Sequence, residues 1–121
     1  ELANRHRGLG VLAVTSPDRL YGDWQAARSA SANRTPRLSH IERLLAELAP
    51  DAGIVTVVDG HPLTLSWLGS VQRNPIKPLG VTRFGESGDL PDLYAKHQID
   101  ASSIISAARE AATWVQPRRR I

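Results

Sequence analysis

The run GIVTVVDG, Gly53–Gly60, constrains this chain more than any other stretch of it. Ile54 to Val58 show almost no polar alternation, and a strand with one face in water would alternate. Such a run is expected to be covered on both faces, as strands are in a parallel sheet flanked by helices. Two further short apolar runs read as strands: LGVLAVTS, Leu9–Ser16, and the four residues Leu79–Thr82. The prolines and polar residues of RNPIKP, Arg73–Pro78, read as the loop before the last of them.

Helical patterns fall between the strands. Ser16 and Pro17 suit the start of a helix, and Leu20, Trp24 and Ala27 then recur at helical spacing. The small, polar and basic stretch Arg28–Arg37 reads as an exposed loop. Ser39 and Glu42 form a capping box for a helix whose inner face is Leu38, Ile41, Leu45 and Leu48, ended by Pro50 and Gly53. Pro62 opens another helix, with Leu65, Trp67 and Leu68 as its buried side. Asp89 caps a short helix and Asp100 a final one, in which Ile104, Ile105, Ala108 and Ala112 face inward. The order is strand, helix, helix, strand, helix, strand, helix, helix. This predicts an α/β fold, a three-layer α/β/α arrangement on a mostly parallel sheet, in one domain spanning 1–121.

Composition removes several classes of function. With no cysteine there is no disulfide framework, thiolate nucleophile or Cys-based zinc site. No apolar run approaches the ~20 residues of a membrane span, and no secretory leader is visible, so a cytoplasmic protein is expected. Arg118, Arg119 and Arg120 account for the whole net charge of +3 and read as a solvated terminus. The body carries no basic stripe interleaved with aromatics, so no nucleic-acid partner is expected. The opening letters ELANRHRG read as the last turns of a helix closed by Gly8, a C-cap glycine. Domains seldom begin inside an element, so a piece of a longer chain is expected.

Few residues suggest chemistry. Gly8–Ala13, GLGVLA, matches a dinucleotide fingerprint in letters only, because it precedes its strand instead of following one. Phe84–Asp89, FGESGD, has its second glycine one place too early for a nucleophile elbow, which leaves Ser87 as a turn or cap residue. Among His6, His40, His61 and His97, no pair has the spacing of a helical metal site. Asp59 and His61 follow β-type residues at the end of a parallel strand, where ligands bind in open α/β sheets, and are the local candidates for acid–base work. The competing reading is that Asp59 and Gly60 make the turn and cap the next helix. His97 reads equally as a packing or an interface residue. No catalytic, cofactor-binding or metal-ligating set emerges.

LGVTRFGESGDLPDLYAKHQIDASSIISAA, beginning at Leu79, resembles the C-terminal end of thiamine diphosphate enzymes of the transketolase type. The closest likeness is to the homodimeric pyruvate dehydrogenase decarboxylating component. Leu79, Gly80, Phe84, Gly85, Ser87, Asp100, Ala101 and Ser102 fit that pattern position for position. VLAVTSPDRLYGDW and HIERLLAELAPDAGIVTVVDG resemble upstream parts of the same domain, in the same order. Arg28–Arg37 and GHPLTLSWLG, Gly60–Gly69, do not track the pattern. The resemblance implies a C-terminal domain that holds neither thiamine diphosphate nor magnesium, since both belong to other domains of the parent enzyme. It also implies a homodimer, contact with those other domains and with a lipoyl-bearing acyltransferase, and no catalytic residue in this chain. It further implies Ile54–Val58 paired in parallel with Leu79–Thr82, and a strand slot between Ile54–Val58 and Val11–Thr15. A transketolase-type ketol transferase, or a free-standing α/β domain binding a small ligand at Asp59 and His61, remain open beside it.

Overall fold

The computed structural model describes residues 8–82, 93 and 99–114. Its elements, in chain order, are α1 (Pro17–Ala32), α2 (His40–Leu45), β1 (Ile54–Val57), a 3₁₀ helix (Pro62–Ser70), β2 (Ile76–Leu79) and α3 (Ala101–Ala112). Expectations for Ser87, the short helix at Asp89, His97 and the Arg118–Arg120 tail lie outside the described residues.

β1 and β2 pair in parallel, with Ile54 opposite Ile76 and Val57 opposite Leu79. The strand pairing with β1 is therefore Ile76–Leu79, three residues earlier than expected, with its first three residues in the stretch assigned to a loop. The reason is the direction of the backbone groups. Ile54 N–H donates to Pro75 O (2.8 Å) and Val58 N–H to Leu79 O (3.1 Å). In a parallel pair, alternate residues address the neighbour, so Lys77 and Leu79 face β1 while Ile76 and Pro78 face outward. The N–H that Pro78 lacks is one the ladder never uses, which is where an edge strand tolerates proline. By the same alternation Val55 and Val57 turn their amides to the other side of β1.

Leu9–Ser16 is not a strand. The segment makes no sheet pairing, and Val11 is 92% exposed. Only Val14 reaches the core. An apolar run becomes a strand only where a neighbour takes its hydrogen bonds, and no described residue does so here. Coverage of β1 is also less complete than its apolar letters imply, since Val57 is exposed.

α1 runs past its expected end, through Arg28 to Ala32, where Arg28, Ala30 and Ala32 are good helix formers that offset the two serines. It stops in a Schellman arrangement. Arg34 takes a left-handed conformation (φ 62°), its N–H donates to Ser31 O, and Thr35 N–H donates to Ala30 O at 2.8 Å. The helix after Pro62 is 3₁₀ throughout, and a threefold repeat stacks Pro62, Leu65, Leu68 and Val71 in one row. Leu65 and Leu68 of that row are buried.

The core is Trp24, Ile41, Leu45, Leu65 and Leu68, with Ile54 and Ile76 of the strands, and Val58 just past β1, packed against it. Trp24 stacks on Trp67 at 5.2 Å, and Tyr21 meets the edge of Trp67. α3 packs on both strands. Its buried residues are Ala107 and Ala111, one position before the expected Ala108 and Ala112. Gly53 explains the shift, since a Cβ there would lie 2.8 Å from Ala111 O, and only glycine lets α3 approach so closely. Lys77 pairs with Glu110 of α3.

Capping follows the sequence in part. Ser39 Oγ accepts from Glu42 N–H at 3.3 Å, one half of the expected box. Ser16 and Asp100 stand at the N-cap positions of α1 and α3, but neither side chain makes a capping bond. Proline at the first position of α1 removes one amide that would need a cap. Gly8 has φ 97°, a conformation that favours glycine, while the helix expected before it lies outside the described residues.

Candidate functional site

The C-terminal edge of the β1–β2 pair brings together the two residues singled out for chemistry and the glycine that precedes Val81. Beyond β1 the chain turns through Asp59 and Gly60 into His61, the N-cap of the 3₁₀ helix. Beyond β2, Gly80 and Val81 run alongside. Val81 N–H donates to Gly60 O at 2.6 Å, which carries the pairing past the last strand residues. Gly80 lies so close to Gly60 and Pro62 that the two loops share one backbone contact.

His61 is committed to structure. Its Nδ1 accepts from Leu63 N–H at 3.2 Å, and its carbonyl accepts from the Thr64 N–H and hydroxyl. The imidazole therefore spends one lone pair on a helix amide that would otherwise lack a partner. Asp59 is exposed and makes no hydrogen bond or ion pair among the described residues. The structure thus brings Asp59 and His61 onto one edge without joining them, and no third group orients either one. An acid–base pair needs a hydrogen bond to the base and a partner holding it. Turn and cap are the roles that the geometry supports.

Capping predicts how substitutions at 61 behave. His61→Ala should lower stability by about 1 kcal/mol, the usual loss for an N-cap, whereas His61→Asn should stay near the native value because asparagine also caps. Urea midpoints of the two variants separate capping from a packing role, in which both substitutions would cost alike.

A second cluster escaped sequence reasoning. Asp23 of α1 accepts from Arg37 Nη1 at 2.9 Å and from the backbone N–H of His40, the first residue of α2, at 2.8 Å. One carboxylate thus closes the loop between the helices and serves an N-terminal amide of α2. It borders a cleft of about 270 Å³ whose lining includes Leu12, Val14, Arg19 and His40. Seventeen residues separate Asp23 from His40. The local spacing rules that find Ser39 and Glu42 cannot find a cap borrowed from another helix.

The amide of His40 and then the Arg37 guanidinium hold the Asp23 carboxyl below its ordinary value of 3.8. A depressed folded-state value contributes stability above the ordinary pKa, and that stability disappears as pH falls through the folded value. Asp23→Asn should therefore be less stable than the native chain at pH 7. The difference should shrink as pH drops below the ordinary carboxylate value. Urea midpoints of both proteins at pH 7 and pH 3 check this, and a gap that stays constant would refute it.

Among the described residues no group of His, Cys, Asp and Glu could hold a metal ion. None of the described helices is long and apolar enough to cross a membrane. No family model, curated protein or solved structure matches the chain.

Proposed function

We propose that this chain is an architectural α/β domain of a thiamine diphosphate enzyme of the transketolase type, closest to the homodimeric pyruvate dehydrogenase component. It supports the assembly of the parent enzyme and leaves the chemistry, thiamine diphosphate and magnesium to other domains. The observation that carries this reading is the contact of Gly80 with Gly60 and Pro62. Gly80 belongs to the Leu-Gly pair on which the resemblance rests, and its role is to let two backbones touch. A layered fold agrees with the reading. Ile54, Val58 and Ile76 pack toward the helical core, while Lys77, next along β2, turns to α3. The outward amides of Val55 and Val57 fit the strand slot that the resemblance implies beside β1. Membership in a dimer, the lipoyl-bearing acyltransferase as a partner, and a pyruvate or ketose substrate for the parent enzyme belong to the same proposal.

Calorimetry tests the division of labour. Titrating the chain with thiamine diphosphate and magnesium should give no binding in the micromolar range. Such binding would place cofactor chemistry in this chain and overturn the architectural reading. In the full-length gene product, Asp59→Asn and His61→Asn should leave turnover nearly unchanged. A loss of ~100-fold with the fold intact, the scale of a missing general acid or base, would favour a ligand or catalytic site at this edge.

A further inference from the structure

We draw no further inference here: the strongest candidate, the open polar groove between α1, α2 and the end of the 3₁₀ helix where Arg28 lies over Trp24 beside Glu42 and Arg73, is bordered by solvent-exposed charged side chains, and nothing in the structure shows what covers it.

Discussion

Gly80→Ala is expected to destabilise the domain by about 3 kcal/mol, the upper part of the range for overpacking a tight site. The added Cβ would fall 2.8 Å from Pro62 N and 2.9 Å from Pro62 Cα, and closer still to Gly60 O. All three are backbone atoms, so no side chain can rotate away to make room. Relief must come from sliding β2 along β1 or lifting the Asp59–His61 turn. Either movement strains the Val81 N–H bond to Gly60 O. Urea denaturation should show a lower midpoint with an unchanged slope, because the surface exposed on unfolding does not change. Amide exchange should quicken first at Val81. A variant as stable as the native protein would mean that the two loops separate freely, and that Gly80 has no packing role.

Ile41→Ala should cost about 2–5 kcal/mol, and Ile41→Val about 0.5–1.5 kcal/mol, as buried truncations generally do. Ile41 is 0% exposed and sits in the cluster with Trp24, Leu45, Leu65 and Leu68, where α1, α2 and the 3₁₀ helix meet. Removing its side chain leaves a hole lined by residues from three elements, none of which can collapse into it without disturbing the others. The stacked Trp24 and Trp67 rings limit relaxation on one side. A domain of this size has only about 5–15 kcal/mol of net stability. The alanine variant should therefore be partly unfolded at moderate temperature, while the valine variant remains folded. Thermal melts followed by near-ultraviolet circular dichroism would report on the tryptophan pair directly. Equal losses for alanine and valine would point to a site that collapses without leaving a hole.

Much of the fold was legible where one residue's role depends on its near neighbours. Ile54–Val57 declared itself by its near-continuous apolar character, Ser39 by the glutamate three places on, and Pro62 by its place at the head of a helix. Illegible features depended on distant partners. Leu9–Ser16 has the letters of a strand, but letters do not supply the neighbour that would take its hydrogen bonds. Ile76–Leu79 is a strand despite Pro78, because the missing donor points away from β1, a fact visible only once the partner is known. α3 is rotated by one residue from the expected face because Gly53, far away in sequence, admits Ala111. At the candidate site, the placement of Asp59 and His61 at a strand end was foreseeable. Whether His61 faces a ligand or a helix amide depends on one rotamer, and the rotamer chose the amide. The Asp23 link to His40 gave no sequence signal, since neither residue is unusual where it stands.

Pro78 makes the two margins of the described strand pair unequal, as a polymer chemist would call two ends of unequal reactivity. One margin, beside Val55 and Val57, keeps both of its outward donors, while the other has lost one of two to the pyrrolidine ring. A unit with two equally reactive margins can add copies head to tail without limit. A unit whose margins differ adds a strand more readily on one side than on the other. The ring thus makes strand addition less favourable beside β2 than beside Val55 and Val57, by withholding a single proton.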